Sequence, residues 1–193
     1  MWWKVIAIVL AVLAFVLAVA ILAGANRWQS DTRELYTRME AARVPIAPTS
    51  YDPRELEGLP APVQRYFRTV LKEEQPLVAA VSIEHTGTFN MSETGEEWKP
   101  FSSTQGVTIQ RPGFVWDARI RMAPGMTVHV HDAYVSGEGV LTAKLFGLLT
   151  VMKQPSTPEL APGELMRFFA EAAWYPTALL PSQGVAWEAI DDA

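Results

Sequence analysis

The chain has 193 residues, 16 basic and 21 acidic side chains, no cysteine and 49% hydrophobic residues. Without cysteine, disulfides, zinc–thiolate sites, thiol nucleophiles and a lipidated N-terminal cysteine are excluded. The net charge of −5 argues against a nucleic-acid partner, because phosphate contacts need clustered Lys and Arg. No charge falls between Val5 and Asn26, so the remaining chain has an acidic globular composition suited to one domain.

The run Val5 to Ala25 (VIAIVLAVLAFVLAVAILAGA) rises about 1.5 Å per residue as a helix and matches a hydrocarbon core roughly 30 Å thick. Residues 5–25 are therefore expected to make the lipid bilayer a partner. Trp2, Trp3 and Trp28 flank the run where indole rings prefer to sit, at the two interfaces. Residues 1–27 read as a transmembrane helix or signal-anchor. A cleaved signal peptide is the rival, since Ala23-Gly24-Ala25 supplies the small-residue pattern of a cleavage site. Arg27, Arg33, Arg38 and Arg43 would hold the domain in the cytoplasm, whereas the short N-terminal tail and the length of the domain favour export. The reading adopted is a single-pass protein with an extracytoplasmic domain.

Residues 28–58 read as a juxtamembrane helix and a proline-rich linker. The helix, from Trp28 to Ala42, has Ser30 or Asp31 as N-cap and a thin apolar stripe of Leu35, Met39 and Ala42, and is expected to be a solvated stalk. Pro45, Pro48, Pro53, Pro60 and Pro62 follow, which predicts a semi-rigid extended spacer.

Residues 59–193 form the expected folded domain. Ala61 to Leu71 is a short amphipathic helix with proline in its first turn. From Leu77 the period changes to 2, and Val81–Met91, Trp98–Gln110, Phe114–Met122, Met126–Val135 and Val140–Met152 read as strands separated by short turns. Short turns allow only antiparallel hairpins, so about five strands should form a meander. Pro162 to Trp174 is a helix with a narrow polar stripe of Glu164, Arg167 and Glu171, and its apolar girth should pack on the sheet. Pro176 ends it, and Val185 to Ile190 begins another strand. The fold class is α+β: an N-terminal transmembrane helix, then a curved antiparallel sheet on a C-terminal amphipathic helix.

Four ordered stretches, Leu59–Phe67 (LPAPVQRYF), Gly113–Ala118 (GFVWDA), Gly163–Arg167 (GELMR) and Trp174–Pro181 (WYPTALLP), resemble an uncharacterised bacterial family whose members often carry an N-terminal membrane helix. The resemblance spans Leu59 to Asp192 and implies no activity and no catalytic residues. Members of that family continue for several more strands, so the chain is expected to be a fragment of a longer domain. More loosely, a helix on a curved antiparallel sheet is similar to the LolA and LolB type of lipoprotein carrier, a likeness of fold alone.

Candidate chemistry is sparse. His129 and His131 share a strand face by period 2, and Asp117 on the neighbouring strand has the phase of a third ligand, so a metal site is one reading and a polar strand face the other. His85, in phase with Val81, Ile83 and Phe89, is expected to be a hydrogen-bonded histidine beside the core. Asp117, Arg119 and Arg121 share one face and suit either an anionic headgroup or a cross-strand ion-pair ladder. Trp174 and Tyr175 are added as apolar ligand contacts, and Trp98, Trp116, Trp174 and Trp187 are expected in the core. No catalytic residue can be named and no cofactor is implied. The leading functional reading is a non-enzymatic membrane-anchored domain that binds a hydrophobic or lipid-like ligand or an envelope partner. The alternative is a metal-dependent hydrolase using His129, His131 and Asp117.

Overall fold

A computed structural model describes residues 2–154 and 157–190, so residues 191–193 at the end of the expected domain lie outside the described residues. One helix, α1, runs without interruption from Trp2 to Ala41, 40 residues, and is long and apolar enough to cross a membrane. The helix continues through Asn26 because Gly24 and Trp28 on either side pack against the folded chain, so Ser30 and Asp31 lie inside the helix and no N-cap forms. After α1 come a 3-10 turn (Pro53–Leu56) and α2 (Ala61–Val70). Six strands follow: β1 (Ala80–Asn90), β2 (Trp98–Thr108), β3 (Gly113–Ala123), β4 (Met126–Val135), β5 (Glu138–Leu145) and β6 (Leu149–Gln154). Helix α3 (Leu160–Glu171) and three 3-10 turns up to Gln183 follow, and the described chain continues to residue 190.

The strands pair in sequence order as one open antiparallel sheet. The meander has six strands rather than five because the run read as one strand from Val140 to Met152 folds back on itself. Phe146 and Gly147 take positive φ at the turn, which makes β5 and β6 a hairpin. The strand expected at Val185–Ile190 does not form. Trp187 instead packs edge-on against Phe67 and donates its indole N–H to the Leu179 carbonyl at 2.9 Å.

The centre of the sheet, β3 and β4, is covered on both faces. One face, with Phe114, Trp116, Ala118, Ile120, Val128 and Val130, packs under α3 through Phe168 and Tyr175. The other receives the second half of α1: Leu35 and Met39 pack on Val115, Ala133 and Val135. The expected solvated stalk is thus a docked helix. Three elements secure it besides the apolar contacts. Tyr36 lies over Gly106, where a Cβ would strike its ring, Arg38 pairs with Glu138 at 2.6 Å, and Asp31 pairs with Lys144 at 2.9 Å. The proline-rich segment is likewise no free spacer. Tyr51 and Leu56 are buried with Phe67, Leu71, Leu77 and Leu180 in a second cluster, and Tyr51 exchanges backbone hydrogen bonds with residues 74 and 75.

The direction of α1 over the sheet can be read from its contacts. Gly24 meets Phe146–Leu148, Trp28 and Thr32 meet Asp117 and His131, and Arg38 and Met39 meet Glu138 and Gly113. The helix therefore runs along the strands, entering at the end that carries the β5–β6 turn.

Candidate functional site

Strand register places Thr104, Asp117, His131 and Thr142 in one cross-strand row, with Ser102, Arg119, His129 and Lys144 in the next row toward the β5–β6 turn. Period 2 points both rows to the face that α1 crosses. Trp28, expected at the membrane interface, is instead fully buried over these rows. Its indole stacks on the His131 imidazole at 3.7 Å between centroids and meets His129 edge-on at 5.4 Å. Its N–H donates to Asp117 Oδ1 at 2.8 Å, and the Lys144 ammonium sits 5.5 Å from the ring centroid. Arg119 adds a charged hydrogen bond to the same carboxylate. A neutral His131 carrying its proton on Nε2 donates to Thr32 Oγ1 at 2.7 Å, which leaves the threonine hydroxyl to donate to the Trp28 carbonyl at 3.0 Å.

This packing corrects the metal reading. Among the described residues no group of three His, Asp or Glu side chains is placed to hold a metal ion. His131 Nε2 faces Thr32, the ring is covered by indole, and Asp117 accepts from Trp28 and Arg119. The polar side chains that period 2 puts on this face serve as the seat for an indole. Burial lowers the pKa of both histidines to about 4, with Arg119 adding to the effect on His129 and Asp117 opposing it on His131. Both rings are neutral at pH 7.

Beside α1 the same face leaves an open polar hollow of about 400 Å³, walled by Glu84, Thr86, Ser102, Thr104, Asp117 and Arg119. Arg121, the third member of the expected anion set, is exposed one row further along β3. Trp174 and Tyr175 belong to the opposite face. Tyr175 is buried beneath α3, where burial raises its pKa, and Trp174 is 60% exposed beside His85. The five residues read as one ligand set are thus divided between two faces of the sheet. His85 contacts Ser103 Oγ at 3.2 Å, in keeping with a hydrogen-bonded residue at the core margin. Of the tryptophans expected in the core, Trp116 is buried, whereas Trp98 is 55% exposed.

A second polar cluster lies between α3 and the sheet. The narrow stripe Glu164, Arg167 and Glu171 faces inward, onto the sheet, while Met166 (72% exposed) and Phe169 face out. The reason is Asp132 and Gln105, two polar side chains of the sheet face that α3 covers, which meet the stripe directly. Arg167 bonds Asp132 and, at 2.8 Å, Glu171, and its guanidinium lies 4.8 Å from the Phe114 ring centroid and 5.2 Å from that of Trp116. Gln105 donates to Glu171. Burial, and then the neighbouring Asp132, push the Glu164 carboxyl up to about 8. A neutral Glu164 supplies a donor for Asp132, whose buried Oδ1 otherwise has no partner among the described residues. The sign in the sequence is Asp132, a carboxylate in phase with Val128, Val130 and Tyr134 on β4.

The two clusters set opposite pH responses. The histidines titrate near 4 in the fold against 6.5 ordinarily, so between these values the unfolded chain binds more protons and stability rises with pH. Glu164 titrates near 8 against 4.5, so over that interval the folded chain holds the extra proton and stability falls with pH. Stability should peak near pH 6.5, losing on the order of 1–3 kcal/mol on each side. Thermal melts from pH 4 to pH 9 check this. In Glu164→Gln the decline above the peak should vanish, and a decline that persists in that variant would exclude Glu164 as its source.

On the outer side of α3, a groove of about 330 Å³ runs between α2 and α3, lined by Val63, Tyr66, Phe169, Ala173, Leu179 and Trp187. Its walls are almost wholly apolar.

The architecture defines a class: an α+β protein in which a long N-terminal apolar helix and an open antiparallel meander are joined by direct packing. The chain belongs to the DUF6920 family, a family of unknown function, whose model matches residues 57–193. No curated protein and no solved structure matches it, so the looser likeness to lipoprotein carriers gains no support.

Proposed function

We propose that the protein is a single-pass membrane protein whose extracytoplasmic domain, without catalysing a reaction, holds an apolar ligand of acyl-chain character in the groove between α2 and α3. The observation that carries this reading is the groove wall, an apolar surface left open on a domain whose core is otherwise packed. The anchor is supported by the apolar part of α1, whose spanning window has no buried residue. Retention of the anchor is supported by Gly24. It packs against Phe146–Leu148, and the helix passes straight through Ala23-Gly24-Ala25, where a signal peptidase would need an extended chain.

The test is native mass spectrometry of delipidated full-length protein with palmitate and with phosphatidylglycerol. A one-to-one adduct is expected, and Phe169→Asp, a partly exposed position, should abolish it while leaving the melting temperature near that of the parent. Absence of any adduct with either lipid would rule out the acyl-ligand reading. Because the chain lacks cysteine, a single cysteine at Glu93 reports sidedness through a membrane-impermeant maleimide, and labelling only after lysis would place the domain in the cytoplasm.

A further inference from the structure

The path of α1 along the strands gives the sheet two unlike ends. In an antiparallel meander the β1–β2, β3–β4 and β5–β6 turns lie at one end and the β2–β3 and β4–β5 turns at the other. The helix reaches the first end at Gly24, still inside the apolar run, and leaves past the second at Met39. Gly24 has no side chain, which lets the β5–β6 turn close on the helix backbone. A Cβ there would lie 2.7 Å from the Phe146 carbonyl oxygen, and one on Gly147 would lie 2.8 Å from the Gly24 carbonyl oxygen. Ala20 and Ile21, a full turn deeper in the run, are partly covered as well.

Exposed apolar side chains follow the same division. At the Gly24 end, Leu148 and Leu149 (63% exposed) stand on the β5–β6 turn, Met126 on the β3–β4 turn and Trp98 beside the β1–β2 turn. The opposite end, residues 109–113 and 135–139, exposes no large apolar side chain. The two turns nearest the helix, residues 121–127 and 145–152, hold one charge, Arg121, and no acid. They are tied together by the Phe146 N–H donating to the Thr127 carbonyl at 3.0 Å. The acids Glu93, Glu96 and Glu97 are confined to the β1–β2 turn, the farthest from α1 in strand order.

We propose that the end of the sheet formed by the β3–β4 and β5–β6 turns is a membrane-contact surface, with Leu148 and Leu149 inserted among the acyl chains beside α1 and Met126 at the headgroup boundary. This rests on the reading of residues 5–25 as a bilayer span, which fixes the height of Gly24. At about 1.5 Å per residue the β5–β6 turn sits at the edge of the hydrocarbon layer, and apolar side chains there gain by leaving water. The domain is thereby seated on the bilayer by its own helix and two turns. The groove between α2 and α3 is a separate surface.

Single-cysteine variants at Val12, Met126, Leu149 and Arg111 are labelled with an environment-sensitive fluorophore. The full chain is then reconstituted in vesicles of phosphatidylcholine and phosphatidylglycerol, with and without lipids brominated on the acyl chains. Positions 12, 149 and 126 should show blue-shifted emission and loss of intensity with brominated lipid, position 126 less than 149, and position 111 neither. Quenching at 12 without quenching at 149 and 126 would overturn the contact surface and leave the span intact. No quenching at 12 would overturn the span and the contact surface with it. A blue shift at 149 that is insensitive to brominated lipid and grows with protein-to-lipid ratio would assign the surface to a second copy of the chain and overturn the proposal.

Discussion

Replacing Trp28 by alanine is expected to destabilise the domain by about 3–5 kcal/mol, the range for deleting a fully buried large aromatic side chain. Three losses combine at one position. The indole is wholly buried between α1 and the sheet, it stacks on His131 at 3.7 Å, and it donates to Asp117. Removing it leaves Asp117 desolvated, with Arg119 as its remaining charged partner, and uncovers both histidines. Trp28→Phe keeps much of the stacking and loses the donor, so it should cost about 1–3 kcal/mol, the penalty for a buried acceptor left short of a partner. Hydrogen exchange separates a local from a global effect. In Trp28→Ala, amides from Arg27 to Ala41 should exchange faster than those of β3 and β4, because the helix detaches before the sheet opens. A loss under about 1 kcal/mol with unchanged protection of α1 would show that the helix is held elsewhere.

Arg167→Ala is the second large effect, also about 3–5 kcal/mol, as found when one partner of a buried ion pair is removed and the other stays. Arg167 is the cation for Asp132 and Glu171 and lies against Phe114 and Trp116. Without it two carboxylates face each other and Glu164 under α3. A combined variant, Arg167→Met with Asp132→Leu and Glu171→Leu, should recover most of the loss, because an apolar replacement needs no desolvation of charge. Chemical denaturation of the two variants is sufficient. If the combined variant is as unstable as Arg167→Ala, the cluster acts through shape or through Glu164 rather than through unpaired charge. Both clusters also set the stability maximum expected near pH 6.5, so these variants and Glu164→Gln probe the same groups from independent directions.

Much of this protein was legible from residue patterns. The uncharged run from Val5 to Asn26 is long and apolar enough to cross a membrane as a helix, and the helix is there. Alternation from Val81 to Val135 with turns at Glu93–Glu96, Arg111–Gly113 and Pro124-Gly125 matches strands β1 to β4 and their antiparallel order. Local rules suffice there because neighbouring residues enforce them. The four family motifs likewise lie within the stretch matched by the family model.

Other features depended on what each face meets across the fold, and there the local pattern pointed the wrong way. Leu35 and Met39 form so thin a stripe that the local pattern reads as a solvated stalk, yet Gly106 clears the space in which Tyr36 settles. A tryptophan after an apolar run belongs at a membrane interface by composition. Here Asp117 and His131, 89 and 103 positions onward in the chain, draw it into the protein. The polar stripe of α3 should face water unless a partner waits inside, and Asp132 with Gln105 is that partner.

Composition and periodicity alone determined that the chain has one long apolar helix, an antiparallel meander and an amphipathic helix after it, because burial and backbone pairing act at fixed local periods. Only the tertiary structure decided which face each helix presents, that Trp28 is core, and which end of the sheet lies beside the apolar run. Those choices depend on charge pairs and close approaches between residues about a hundred positions apart, and no local period encodes them.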